Sequence, residues 1–237
     1  MIDLHCHVLP AIDDGPENIE TSVKMLELAV SDGITHLVAT PHFFFDDSIS
    51  ASHIDQKFRL LKEEAKLRVP GIELFSGADI RLNYELLRAI DSGHVPTING
   101  SRYFLVELPD PVPPNTDKLL YKAGMMKFVP VITHPERNYS LLSSPEKVDT
   151  LRNTGALFQL TAMSLTGDFG GAIQKFSHGL LRKGIVEFIA SDAHNTGSRP
   201  PLLSAAYKMI SGLFGSKTAG RLFIGNPSAV LENRQLL

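Results

Sequence analysis

The chain has 237 residues, 43% of them hydrophobic and 21% charged, with a formal net charge of −3. That apolar content supports a buried core and argues against disorder, and the acidic balance speaks against a nucleic-acid partner. No apolar run approaches the roughly 20 residues a membrane span requires, and the single cysteine excludes an intrachain disulfide framework.

The sequence opens directly on a strand pattern, without a charged and apolar leader, so a cytoplasmic location is expected. That first strand spans residues 2–5. A loop carrying Asp13-Asp14-Gly15 follows, and Pro16 opens a helix in which Ile19, Val23, Leu26 and Val30 recur at helical spacing. Further strands are expected at residues 36–40, 73–77, 103–108, 129–133, 157–161 and 187–190, each bounded by turn residues. Helical patterns occupy 52–68, 83–92, 116–124, 145–153, 171–183, 201–213 and 217–222. Asn226-Pro227-Ser228 predicts a terminal helix with Asn as its N-cap and Pro in the first helical position.

Seven β-then-α units imply a parallel sheet with crossover helices, either a barrel or a doubly wound open sheet. His7, His42, Asp79, Glu107, His134 and Asp192 lie at or just past six of the seven strand ends. An open sheet spreads such positions along a line, whereas a barrel gathers them on one face. For all six to meet, the sheet must close, so the expectation is an α/β fold of (β/α)7 barrel type in one domain over residues 1–237. The Pro-rich stretch 110–114 reads as a stiff loop rather than a boundary.

Nine candidate metal ligands emerge: His5, His7, Asp14, His42, Asp79, Glu107, His134, Asp192 and His194. Imidazoles and carboxylates suit manganese, zinc or ferrous iron, and nine exceed what one ion uses. The chain therefore reads as a multinuclear metallohydrolase. His5 and His7, like Asp192 and His194, are two apart, a spacing that turns both side chains to one side. Prolines beside His42 and His134 stiffen their turns. An acid ending an apolar strand costs desolvation unless a cation meets it, which favours Glu107 as a ligand. Asp79 equally suits a turn cap, and Asp14 a helix entry.

Arg137 and Arg199 fall in loops on the same face, where guanidinium forks match phosphate oxygens, although ordinary surface arginines remain an alternative. Cys6 lacks the arginine six residues on that a cysteine phosphatase needs, and the alternation of the strand turns it away from the mouth. His36, His53, His94 and His178 fit no site position.

Taken together, the residues 1–7 stretch MIDLHCH, the Asp-Asp-Gly-Pro loop, Ala39-Thr40-Pro41-His42, Thr133-His134-Pro135-Glu136-Arg137, Ala190-Ser191-Asp192-Ala193-His194-Asn195 with Arg199-Pro200-Pro201, and Leu222-Phe223-Ile224-Gly225-Asn226-Pro227 carry a resemblance. The chain resembles the polymerase-and-histidinol-phosphatase (PHP) superfamily, and within it the manganese-dependent protein-tyrosine phosphatases of bacterial capsule and exopolysaccharide operons. The resemblance implies a distorted TIM-like barrel and three divalent ions, manganese first, with zinc, ferrous iron or magnesium as other occupants. It puts His5, His7 and Asp192 on one ion, Glu107 and His134 on a second, and Asp14, His42 and His194 on a third. Asp79 stands where the family usually has a bridging glutamate. Arg137 and Arg199 would grip the phosphate. The implied substrate is a phosphotyrosine protein, with a tyrosine autokinase of polysaccharide synthesis as partner. The sequence leaves a homo-oligomer open. The rivals are a small-molecule phosphatase of the histidinol-phosphate type, a nuclease, and a binding module without turnover.

Overall fold

The computed structural model describes residues 1–45 and 50–236. Its strands are β1 (Ile2–Cys6), β2 (His36–Ala39), β3 (His42–Phe43), β4 (Glu73–Ser76), β5 (Asp79–Arg81), β6 (Tyr103–Glu107), β7 (Val129–Thr133), β8 (Leu157–Thr161) and β9 (Phe188–Ala190). All neighbouring strands pair in parallel, in the orders β1-β2-β4 and β3-β5-β6-β7-β8-β9. The two groups continue into each other, because β3 follows β2, and β5 follows β4, after a two-residue step. At the far edge the exit of β9 meets β1. Asp192 N donates to His5 O at 2.9 Å and His7 N to Ala193 O at 2.8 Å.

The seven expected strands thus appear as nine segments, the second and third each being broken. Pro41 offers no N–H to a ladder, and opposite it the chain steps at Gly77. A Cβ there would lie 2.9 Å from Val38 Cγ1 and 3.1 Å from Thr40 Cγ2, so the two strands cross the step only because one residue has no side chain.

The helices that matter for the site are α1 (Ile19–Ser31), α2 (Ala51–Arg68), α3 (Tyr84–Ser92) and α4 (Thr116–Met125). Asn18 caps α1 by accepting from Thr21 N, so this helix starts at Ile19, three residues beyond Pro16, which does not open it. Asn83 caps α3 in the same way, accepting from Leu86 N at 3.0 Å. The helix expected from Pro201 begins at Ser204, where Asp32 accepts from the backbone N–H groups of Leu203 and Ser204 and so takes the place of an N-cap side chain. Asn226 is not a cap: the chain enters it already helical from a π-turn, Arg221–Gly225, and its side chain donates to Glu187 O.

Two apolar clusters anchor the strands. The larger packs the helices onto the sheet. The smaller joins Leu4, Val38, Leu105, Val131 and Phe188 from five strands. Leu105 lies two residues before Glu107 and Val131 two before Thr133, so by strand alternation these side chains form the layer just below the polar residues at the strand ends. Among the described residues no helix is long and apolar enough to cross a membrane.

Candidate metal centre

The strand ends bring all nine candidate ligands into one connected cluster. Four overlapping groups have ligand atoms within 4.8 Å of one another: His7, Asp14, His42 and His194; His5, His134 and Asp192; His5, His7 and Asp79; and His42, Asp79 and Glu107. His5, His7, Asp79, His134, Asp192 and His194 are buried, whereas the Asp14 side chain is 62% exposed at the outer edge.

The hydrogen bonds behind the rings decide which nitrogens face inward. His5 Nδ1 donates to Gln159 Oε1 at 2.8 Å, and His7 Nδ1 to Asp13 Oδ2 at 2.7 Å. His194 Nδ1 donates to Asp192 O at 3.0 Å. In a neutral imidazole the other nitrogen then carries a lone pair. His5 Nε2 and His7 Nε2 face each other at 3.1 Å, and Asp192 Oδ1 lies 3.4 Å from both. Two lone pairs and a carboxylate oxygen converging on one point repel unless positive charge stands among them. Burial opposes a charge on His7, yet Asp13 and Asp192 outweigh it and raise its pKa to about 10. Burial, with Arg137 adding to it, holds His134 well below its ordinary value, and burial with His7 lowers His194 to about 3. These two rings are therefore neutral and available as donors.

Asp79 is the centre of the cluster. Its Oδ2 lies 3.6 Å from His5 Nε2, 3.6 Å from His42 Nδ1 and 3.9 Å from His134 Nε2. Although fully buried, Oδ2 has no hydrogen-bond partner among the described residues, and neither has His42 Nδ1. Burial first, then Glu107, pushes the Asp79 pKa up to about 7. A buried carboxylate oxygen and a buried imidazole nitrogen left unpaired this close together are costly as they stand. The spacings are too long for hydrogen bonds and leave room for a cation with ligand distances of about 2 Å. The residues present fit divalent ions.

Grouping by proximity cuts across the partition the resemblance implies. Glu107 clusters with His42 and Asp79 rather than with His134, and His134 clusters with His5 and Asp192. Glu107 Oε2 is also taken by Arg81 Nη1 at 2.7 Å. Arg81 is two residues past Asp79 on β5 and so turns to the same side, a spacing legible in the sequence but not used there. Gln159 and Asp13 are the other contributors not anticipated. Gln159 is a fully buried polar residue in the middle of an otherwise apolar strand. Of the adjacent acids Asp13 and Asp14, the sequence pointed to Asp14 and gave Asp13 no role; the structure gives Asp13 the His7 ring and His42 N (3.0 Å), and turns Asp14 toward His194 Nε2 (3.2 Å).

Arg137 and Arg199 both bond Asp192 Oδ2, Arg199 through Nη2 at 2.7 Å. Their side chains are 27% and 25% exposed, so both guanidiniums reach from the buried ligands to the open face. Cys6 packs in the larger apolar cluster, its thiol pKa pushed far up by burial, and takes no part. His36 lies on Phe75, and His178 bonds Leu165 O, both away from the cluster. Two ligand positions adopt left-handed backbone, His134 (φ 33°) and Asp192 (φ 52°), conformations uncommon outside glycine and concentrated at functional sites.

Gly15 keeps the Asp13–Asp14 loop against β1. A Cβ there would meet His7 O at 2.5 Å. Gly15→Ala should displace both acids and lower activity at saturating metal by about 10-fold, as losing an outer-shell orienter does; the measurement is kcat beside a metal titration.

The family model for capsular polysaccharide synthesis, CpsB/CapC, matches residues 1–232. The chain belongs to the CpsB/CapC family. CapC of Staphylococcus aureus is 36% identical over 209 residues, spanning 87% of this chain and 82% of that protein. The Bacillus subtilis tyrosine-protein phosphatase YwqE is 34% identical across 100% of this chain and 91% of its own length. A solved structure from work on YwqE and Streptococcus pneumoniae CpsB, described as unique metal-dependent tyrosine phosphatases, superposes with a TM-score of 0.93. It covers 100% of this chain and 96% of that one at 31% identity. The family match thus extends over all nine candidate ligands.

Proposed function

We propose that this CpsB/CapC protein is a metal-dependent protein-tyrosine phosphatase. The observation that carries the reading is Asp79 Oδ2, buried and unpaired amid three imidazole nitrogens. His5, His7, Asp14, His42, Asp79, Glu107, His134, Asp192 and His194 would hold three divalent ions, with manganese the first candidate. The strand order, with β9 bonded back to β1, supports a closed (β/α)7 barrel of the PHP type working as a single domain. The cytoplasm is the proposed location and a tyrosine autokinase of polysaccharide synthesis the proposed substrate.

When bound, the ions supply Lewis-acid polarisation of the phosphoryl group and make water a competent nucleophile near neutral pH. The protein's own part is orientation and charge. Gln159 and Asp13 fix the tautomers of His5 and His7. Arg137 and Arg199, both partly exposed, bind the phosphoryl oxygens and neutralise charge as it moves to the leaving oxygen. Tyrosine leaves as a phenolate with a pKa of about 10, so the absence of a dedicated general acid costs little.

Phe44 is the exposed member of the Phe43–Phe45 run, 38% accessible, and its ring lies 5.9 Å from that of His42. Phe43 and Phe45 stack on each other edge to face against the core. Phe44 is thus placed to meet the phenol ring. Phe44→Ala should raise KM for a phosphotyrosine peptide about 5-fold, the worth of one aromatic contact, with kcat nearly unchanged; unaltered KM would discard the role.

The deciding experiment is metal analysis of the purified protein beside phosphate release from a phosphotyrosine peptide, with and without chelator. Bound metal and chelator-sensitive turnover are expected. A kcat/KM for histidinol phosphate above that for the peptide would turn the assignment to a small-molecule phosphatase.

A further inference from the structure

β5 ends at Arg81, and the next residues form one wall of a groove of about 270 Å3 between α3 and the start of α4. Leu82, Leu87, Pro113, Pro114 and Leu119 give it an apolar lining. Two links tie the walls of the groove to the candidate metal centre. Arg81 pairs with Glu107, and Leu82 N donates to Glu107 O at 2.9 Å. Asn83 Nδ2 donates to Phe44 O at 2.7 Å, joining the groove to the ring beside His42.

The charge in the lining has one sign. Among the described residues Lys118 and Lys122 border the groove and no carboxylate does, in a chain whose net charge is −3. Lys122 is shared with Asp91 at 2.6 Å, outside the lining, whereas Lys118 is exposed on the first turns of α4. An apolar trough with an ammonium rim is complementary to an extended segment bearing an apolar side chain beside a carboxylate.

We propose that this groove binds the part of a substrate protein that adjoins the phosphotyrosine, and that it selects an apolar residue next to Asp or Glu there. The proposal rests on the phosphatase reading and adds a sequence preference to it. The Arg137 and Arg199 side of the cluster takes the phosphate. The α3–α4 side takes the flanking chain, with Phe44 between them. Because the contact is at the rim, the preference should act mainly through KM and weaken with salt.

The test compares two synthetic phosphotyrosine peptides, one with Leu-Glu pairs flanking the tyrosine and one with Leu-Lys pairs, and p-nitrophenyl phosphate. Metal-loaded wild type is expected to favour the glutamate peptide, and Lys118→Glu to lower the glutamate-to-lysine ratio of kcat/KM about 5-fold, while Lys118→Arg preserves it. No change in that ratio, or an equal change on both peptides and p-nitrophenyl phosphate, overturns the groove. Wild type inactive on all three substrates would strike at the phosphatase reading instead. Fluorescence anisotropy of the labelled, unphosphorylated glutamate peptide then decides the groove, because equal affinity for wild type and Lys118→Glu overturns it.

Discussion

Asp79→Asn should lower kcat by at least about 10²-fold at saturating metal, the scale of losing one charged stabilising group, and should leave the protein deficient in bound metal. The amide keeps the shape but removes the charge from the one oxygen that His5, His42 and His134 surround. The same variant makes a second, independent prediction. Without metal, the wild-type carboxyl has its pKa raised from 3.8 to about 7 by burial and then by Glu107. An acid whose folded pKa is raised stabilises the folded state at low pH, and that contribution is lost as pH rises from the unfolded value through the folded one. The thermal midpoint of chelated wild type should therefore fall, relative to chelated Asp79→Asn, between pH 4 and about 7. A constant difference across that window would show that Asp79 is satisfied without a cation. Asp79→Glu places the longer acid usual in the resembled family at this position, and retained activity with tighter metal binding is expected. Inactivation would show a site built around the shorter side chain, whose Oδ1 already accepts from Thr133 Oγ1 at 3.1 Å.

The candidate ligands were legible because most of them lie at or just past the end of an apolar strand, where an unpaired polar group is expensive. β7 and β8 match their expected bounds because short, mostly apolar runs between breakers leave little choice. The steps at Thr40–Pro41 and Gly77–Ala78 were not legible. A Thr-Pro pair reads as a strand end, and only the close approach of Gly77 to Val38 shows that both strands resume beyond it. Nor could periodicity reveal that His134 and Asp192 sit in left-handed backbone, since tertiary contacts over-determine that conformation. The residues behind the ligands were the largest omission. Of the seven expected strands, the one at 157–161, now β8, has no candidate ligand at its end, and Gln159 at its centre holds the His5 ring from behind. Arg81 was passed over because an arginine on a short strand has many surface explanations. Only its bond to Glu107 places it at the mouth.

Arg137→Ala and Arg199→Ala should each reduce kcat/KM for a phosphotyrosine peptide by about 10²-fold, and the double variant by less than the product. Sub-multiplicative loss is expected because both guanidiniums grip the same oxygen, Asp192 Oδ2, so removing one lets the other recentre. Lysine at either position keeps the charge but not the fork, and should recover only part of the loss. Two roles are entangled here. The arginines face the open side, where phosphate arrives, yet they also compensate an acid that is 1% exposed and belongs to the buried ligand set. Inhibition by inorganic phosphate separates them. If the arginines bind the phosphoryl group, each alanine variant keeps its metal content and needs about 10-fold more phosphate for half inhibition. If they serve only to neutralise Asp192, phosphate inhibition stays at the wild-type level while metal affinity changes, because a carboxylate relieved of its guanidiniums is a stronger ligand. The exposed guanidinium edges, lying on the same face as Phe44 and the α3–α4 groove, argue for the first outcome.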